Sequence, residues 1–255
     1  MLLVIDVGNT QTVVGLYEGP ELAYRWRIST IKHETSDELR LRLQQLLDFE
    51  GIETASIDGV SLASVVPALT VAWRAAIHYM LGMEALVCSA ETASAVFTPD
   101  YPNPAEIGAD RVADAVAARA LYGAPVVVVD FGTATNIGVV DVRGCFVGGV
   151  IAPGMETSAT ALFSHATKLG AIDLEDPRTA IGHNTTQAMQ AGIVYGEADR
   201  VDGLLRRIFE QLGYEATVVA TGGLATRVAP YSRIISLTNP VLTLEGLRLV
   251  YESRL

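Results

Sequence analysis

The residues best suited to chemistry in this chain stand at two glycine turns. One is Asp6-Val7-Gly8-Asn9-Thr10-Gln11-Thr12-Val13; the other is Asp130-Phe131-Gly132-Thr133-Ala134-Thr135. Glycine lets a backbone bend sharply and present N–H donors with no side chain in the way. Asn9, Thr10 and Thr12 add short polar groups that can reach phosphate oxygens. Asp6, at a strand end, is placed to hold a Mg²⁺ ion through water and so offset phosphate charge. A single copy of this pattern reads as an ordinary hairpin in which Asn and Gly serve only the bend. A second copy, roughly half a chain length away, gives the repetition a purpose. Two acidic hairpins can grip one polyphosphate from both sides.

Transfer of a phosphoryl group also needs an orienting base for the acceptor hydroxyl. The segment Tyr101-Pro102-Asn103-Pro104-Ala105-Glu106-Ile107-Gly108-Ala109-Asp110-Arg111 supplies a candidate. Asp110 could take the proton of an attacking alcohol, and Arg111 could bind an anionic group. A surface Asp–Arg pair opening a helix would look the same in sequence. Thr221-Gly222-Gly223 would let a nucleotide base or ribose approach the backbone, and it reads equally as a plain strand-to-helix turn. No glycine-lysine-serine or -threonine follows either acidic turn, and each turn leads into a strand. Both a Walker loop and a dinucleotide fingerprint are therefore excluded. His33, His78, His165 and His183 show no metal-ligand spacing, so a zinc site is not expected. Cys88 and Cys145 read as buried free thiols rather than a disulfide scaffold.

These residues need a frame. Each acidic turn joins a β-branched strand to a returning strand, and a third follows, over Leu22 to Ile28 and over Cys145 to Ile151. Helical spacing then covers Thr35 to Phe49, with Leu39, Leu43, Leu46 and Leu47 on one face. A strand is expected from Ser56 to Ala63 and a helix from Ala68 to Met80. Pro104 to Tyr122 reads as a connecting helix stopped by Gly123-Ala124-Pro125. Later helices are expected over Gly154 to Ala166 and Thr185 to Leu212, the latter broken near Gly192 and Gly196. Glu215 to Ala220 reads as a strand, and Val241 to Tyr251 as a final amphipathic helix. The whole reads as an α/β chain of two domains of similar topology, with mixed sheets flanked by helices. The expected domains are 1–120 and 121–255, with a cleft between them and the last helix free to pack back on the first.

Composition narrows the function classes. Half of the 255 residues are hydrophobic, and the formal net charge is -11. That field repels phosphate backbones, so no nucleic-acid partner is expected, and an anionic substrate needs local help from Arg, backbone N–H groups or cations. The amino terminus reads as a strand without a basic leader, and no apolar run is long enough to span a bilayer. A cytoplasmic protein without a membrane partner is the expectation.

Several segments together resemble the type III pantothenate kinase family. They are Asp6-Val7-Gly8-Asn9-Thr10, Ser64-Val65-Val66-Pro67, Tyr101-Pro102-Asn103-Pro104, Gly108-Ala109-Asp110-Arg111, Asp130-Phe131-Gly132-Thr133-Ala134-Thr135, the glycine-rich Gly148 to Gly154, Ile181-Gly182-His183-Asn184-Thr185 and Gly192-Ile193-Val194-Tyr195-Gly196. The resemblance implies two ribonuclease H-like (actin-like ATPase) domains and ATP-dependent phosphorylation of pantothenate to 4'-phosphopantothenate, the first step toward coenzyme A. It implies Asp110 as general base, with Tyr101, Gly108, Ala109, Asp110, Arg111 and Thr185 holding pantothenate, Thr185 from the partner of a homodimer. It further implies that Asp6, Val7, Gly8, Asn9, Thr10, Gln11, Thr12, Val13 and Thr133 contact ATP, and that Asp130 binds K⁺ or NH₄⁺ beside Mg²⁺. Asn136, His183 and Gly170 depart from the usual family pattern without removing a residue assigned to chemistry. The competing readings are an actin-like nucleotide-binding regulator without metabolite kinase activity and a sugar or acetate-type kinase. The Gly-Ala-Asp-Arg segment favours the pantothenate kinase.

Overall fold

The computed structural model describes residues 1–165 and 172–255. The expectations at Ala166 and Gly170 lie outside the described residues. The chain separates into two units: Met1–Ala120 together with Leu242–Leu255, and Leu121–Val241.

In the first unit, β1 (Leu2–Val7), β2 (Gln11–Glu18) and β3 (Glu21–Ser29) form an antiparallel meander. β4 (Gly59–Ser64) lies parallel to β1, and the short β5 (Leu86–Val87) lies parallel to β4, giving the order β3-β2-β1-β4-β5. β1 is apolar because both of its faces are covered. Leu3, Ile5 and Val7 point toward α1 (Ser36–Phe49) and α2 (Pro67–Leu81), whose Leu39, Leu43 and Trp73 complete that core. α1 opens with a capping box: Glu38 N donates to Thr35 Oγ1, and Thr35 N donates to the Glu38 carboxylate. α8 (Leu242–Glu252) covers the opposite face, where its Leu244 meets the backbone of Gly15 and Tyr17 donates to Glu245 Oε1 at 3.0 Å. α3 (Ala109–Tyr122) meets α8 at Gly246, where an added Cβ would collide with the Ala113 backbone, and Thr243 Oγ1 donates to Asp114 Oδ1 at 2.7 Å.

The second unit repeats the pattern strand for strand. β6 (Val126–Phe131), β7 (Ala134–Val140) and β8 (Phe146–Pro153) are antiparallel. β9 (Thr217–Thr221) runs parallel to β6, and β10 (Leu237–Thr238) runs parallel to β9. The order is β10-β9-β6-β7-β8, matching the first sheet, and both middle strands carry a bulge near their far ends. α4 (Met155–His165), α5 (Thr185–Gln190), α6 (Gly196–Leu212) and the short α7 (Ala225–Val228) accompany this sheet. Val194, Val201 and Leu205 pack with Val127, Val129, Phe131 and Ile137 in its core.

Some boundaries differ from the sequence reading, each for a local reason. Pro104–Glu106 is a separate 3₁₀ turn, and α3 begins only at Ala109, after Gly108. Thr54–Ser56 is likewise a 3₁₀ turn, in which Ser56 Oγ donates to Glu53 O at 2.7 Å, so β4 starts at Gly59. The break expected near Gly192 and Gly196 is a π-helical turn over Ala191–Tyr195 joining α5 to α6. Cys88 is buried, but Cys145, which stands just before the edge strand β8, is only half-buried.

Candidate functional site

In an open α/β sheet, ligands are met at the carboxyl ends of the parallel strands. At that end of the first sheet, Asp6 and Val7 of β1 lie beside Ala63 and Ser64 of β4. Gly8 N donates to Gln11 O at 3.0 Å and closes the turn; a Cβ on Gly8 would stand 2.9 Å from that oxygen. Asn9, Thr10 and Gln11 are exposed, Asp6, Gly8 and Val13 half-buried, and Val7 and Thr12 buried. The Thr12 hydroxyl is hydrogen-bonded to that of Thr30 at 2.9 Å.

Asp110 is the second residue of α3, and its Oδ1 accepts from Arg111 N at 2.8 Å. Burial pushes its carboxyl above the ordinary carboxylate range, while the Arg111 N–H and guanidinium charge pull the other way. Gly108 makes room for it: a Cβ there would lie 2.5 Å from Asp110 Oδ1. Behind the helix start, the Cys88 thiol points at Ala109 O at 3.6 Å. Its pKa is pushed up to about 12, first by burial and then by the charges of Asp110, Asp6 and Asp114. Asp6 and Asp110, two of the acids singled out from sequence, thus share one electrostatic neighbourhood around this thiol. Asp114 joins them and was missed, although its spacing of one helical turn from Asp110 was the available signal. Tyr101, Ala109 and Arg111 are half-buried.

The second sheet presents the matching end. Asp130 of β6 lies beside Thr221 of β9, and the next residue, Gly222, has φ +90°. A Cβ on Gly222 would stand 2.6 Å from Phe131 O and 2.7 Å from Phe131 N, and would overlap the Asp130 carboxylate. This glycine therefore clears space for Asp130, a role beyond the nucleotide approach read from sequence. Gly132 N donates to Ala134 O at 3.0 Å, leaving Thr133 exposed at the tip. The Thr133 carbonyl accepts from Gly154 N at 3.1 Å and from Thr157 Oγ1 at 2.6 Å, so the start of α4 holds the turn.

Thr135 is buried, and its Oγ1 donates to Glu197 Oε1 at 2.5 Å. Glu197 was also missed, because Glu197 and Arg200 three residues apart look like a surface pair in sequence. Thr185 opens α5, which Asn184 caps through its Oδ1 and Gln187 N at 2.9 Å. Thr185 is exposed on the wall of a cavity of about 690 Å³ that Met155, Ser158, Met189, Glu197 and Arg200 also line. His183 is exposed beside this cap, and its N donates to Gln187 Oε1 at 3.0 Å.

Asp6 and Asp130 are hard oxygen donors at strand ends, chemistry that suits Mg²⁺ and K⁺ rather than zinc. Among the described residues, no group of three or more His, Cys, Asp and Glu converges as a metal cluster. A cation at either aspartate would complete its shell from phosphate, water and backbone carbonyls.

A family model described as type III pantothenate kinase matches residues 2–207. The chain is 46% identical over 256 residues to a type III pantothenate kinase of Frankia alni, with 100% of both chains covered. It is 45% identical over 252 residues to one of Moorella thermoacetica, with 99% of each covered. Among solved structures it is similar to the activator of the 2-hydroxyisocaproyl-CoA dehydratase from Clostridium difficile with bound ADPNP. That likeness has a TM-score of 0.60 at 14% identity and covers 99% of this chain and 95% of the other. It speaks to the fold alone, and the paired mixed sheets are those of the actin-like ATPase and sugar kinase folds.

Proposed function

The chain belongs to the type III pantothenate kinase family and is an ATP-dependent kinase of pantothenate, and from that premise we propose that Asp110 is its general base. As the pantothenate hydroxyl oxygen attacks the γ-phosphorus of ATP, the Asp110 carboxylate accepts the hydroxyl proton. The oxygen–phosphorus bond to ADP breaks, and 4'-phosphopantothenate, the product that begins coenzyme A synthesis, is released. One observation carries this role. The Asp110 carboxylate sits in a clearing kept by Gly108, at the mouth of a buried helix, with a proton affinity raised by burial. Arg111 pairs with the pantothenate carboxylate, an attraction that a chain of net charge -11 has to supply locally. Tyr101, Gly108 and Ala109 shape the rest of the acceptor site, and Thr185 reaches it across a homodimer.

The same reading assigns ATP contacts to Asp6, Val7, Gly8, Asn9, Thr10, Gln11, Thr12, Val13 and Thr133. Their support is the pair of turns that leave the short polar residues Asn9, Thr10, Gln11 and Thr133 exposed at strand ends. The kinase uses ATP with a divalent metal ion. We assign Mg²⁺ to Asp6 and K⁺ or NH₄⁺ to Asp130; when bound, these ions offset phosphate charge. Among the described residues no helix is long and apolar enough to cross a membrane, and we place the enzyme in the cytoplasm.

The test is ADP release with MgATP and K⁺, offered pantothenate, a panel of sugars, or no acceptor. Turnover should appear with pantothenate alone. Asp110→Asn should lower kcat by about 10²–10⁴-fold while an ATP analogue still binds. Wild-type kcat in that variant would remove Asp110 as the base.

A further inference from the structure

A buried carboxylate that no part of the reaction uses lies under the second acidic turn. Glu197, at the start of α6, is 3% exposed. Its Oε1 accepts from Thr135 Oγ1 and its Oε2 from Arg200 Nη2, both at 2.5 Å. The same Arg200 nitrogen donates to Pro153 O at 2.7 Å. Pro153 ends β8, and Gly154, the next residue, packs so tightly on Gly132 and Thr133 that a Cβ there would collide with both carbonyls. One carboxylate thus ties the strand leaving the turn to the segment that clasps its tip.

The internal repeat provides a comparison. Thr12 holds the place in the first hairpin that Thr135 holds in the second, opposite the residue that follows the acid. Both threonines are buried. In the first unit a neutral hydroxyl, that of Thr30, satisfies Thr12. A buried threonine in this fold therefore has no need of an ionised partner. Burying a carboxylate carries a desolvation penalty even when it is paired. What Glu197 achieves and a hydroxyl cannot is a second link, through Arg200, to the clasp.

We propose that Glu197 is a positioning residue for the nucleotide: through Thr135 and through Arg200–Pro153 it holds the Gly132–Thr133 turn in the shape that ATP binds. This rests on the reading that the turn contacts ATP. Arg200 and Glu197 also line the cavity that Thr185 borders. Asp202 is the control that α6 itself provides. It too is a buried carboxylate, accepting from Ser232 Oγ at 2.5 Å and Arg233 N at 2.8 Å, and it is attached to a loop remote in sequence from the turn.

The experiment titrates a non-hydrolysable ATP analogue with Mg²⁺ into the full-length protein, without pantothenate. Wild type is compared with Glu197→Ala, Thr135→Val, Thr135→Ser, Asp202→Asn and Thr133→Asp, with melting temperatures and steady-state kinetics alongside. Glu197→Ala and Thr135→Val should weaken analogue binding and raise the KM for ATP at least tenfold, with kcat within about threefold of wild type. Thr135→Ser, which keeps the hydroxyl, should bind within twofold of wild type. Asp202→Asn should lower the melting temperature without moving affinity. If Glu197→Ala melts lower but binds as wild type does, its role is structural and the proposal is overturned. Thr133→Asp separates the two levels, because it sets a like charge on an exposed tip. Should it bind the analogue normally, the nucleotide reading of the turn fails and Glu197 falls with it. Should it abolish binding while Glu197→Ala does not, only the positioning role is lost.

Discussion

Gly108→Ala adds one carbon beside the proposed base and changes no titratable group. The new Cβ would stand 2.5 Å from Asp110 Oδ1 and 4.0 Å from Val65 Cγ1. Carbon and oxygen settle at roughly 3.3–3.6 Å, so the carboxylate has to retreat by about 1 Å. A misplacement of about 1 Å at a reacting group costs on the order of 10²-fold in rate. The retreat also stretches the 2.8 Å bond from Arg111 N, the first of the influences that hold the Asp110 pKa down against burial. The base works ionised, so the acid limb of kcat/KM follows its folded-state pKa. In wild type that limb should lie above the ordinary Asp value of about 3.9, and in Gly108→Ala it should move higher still. Stability follows the same sign. A raised carboxyl pKa opposes folding while the group is ionised, so its cost is present above the folded pKa and is relieved as pH falls through it. Initial rates of ADP release across pH, with an ATP-analogue titration as control, read all of this. Wild-type kcat with an unmoved acid limb would refute the geometry argued for Asp110. Lost analogue affinity would show instead that the substitution acts on the nucleotide.

Two further outcomes follow from the same coordinates. Gly222 and Gly213 both have positive φ, at +90° and +78°, but only Gly222 faces crowded atoms. Gly213→Ala should cost the backbone strain alone, about 1–2 kcal/mol, whereas Gly222→Ala adds overpacking of about 1–3 kcal/mol. Thermal melting should rank them so, and only Gly222→Ala should raise the K⁺ concentration needed for half-maximal activity; equal behaviour would detach Gly222 from Asp130. Thiol labelling of the native protein near pH 8 should modify Cys145 and spare Cys88, whose thiol is buried and titrates only near 12. Rapid reaction of both would contradict the packing behind α3.

Much of the frame is legible from side-chain type alone. Runs such as Val126–Val129 are apolar at every position because the central strands are covered on both faces. The repeat was legible for a related reason: an acid followed by a glycine bend recurs wherever the same turn must be built. Element edges were harder, since Pro104 is as acceptable in a 3₁₀ turn as at a helix start, and only packing decides between them. Glu197 and Asp114 escaped notice for a different reason. Polarity is read from a helix by default as exposure, and burial of a carboxylate is decided by partners far away in the chain, Thr135 in one case and Thr243 in the other. Gly222 was noticed, but what it avoids is Asp130, a neighbour that only strand pairing reveals.

The return of α8 to the first unit bears on the order in which the molecule is assembled. The chain leaves that unit at Ala120 and rejoins it at Leu242, so Leu121–Val241 is an insertion within it. A ribosome adding about 5–20 residues per second exposes every strand of the first sheet long before α8 exists. Until then Gly15 lacks Leu244 and Tyr17 lacks Glu245, and Thr243 is not there to donate to Asp114 on the helix that carries the proposed base. The inserted half can mature while the half begun first still waits. Proteolytic loss of the final turns would accordingly disable the amino-terminal half, the one farther from the cut along the chain.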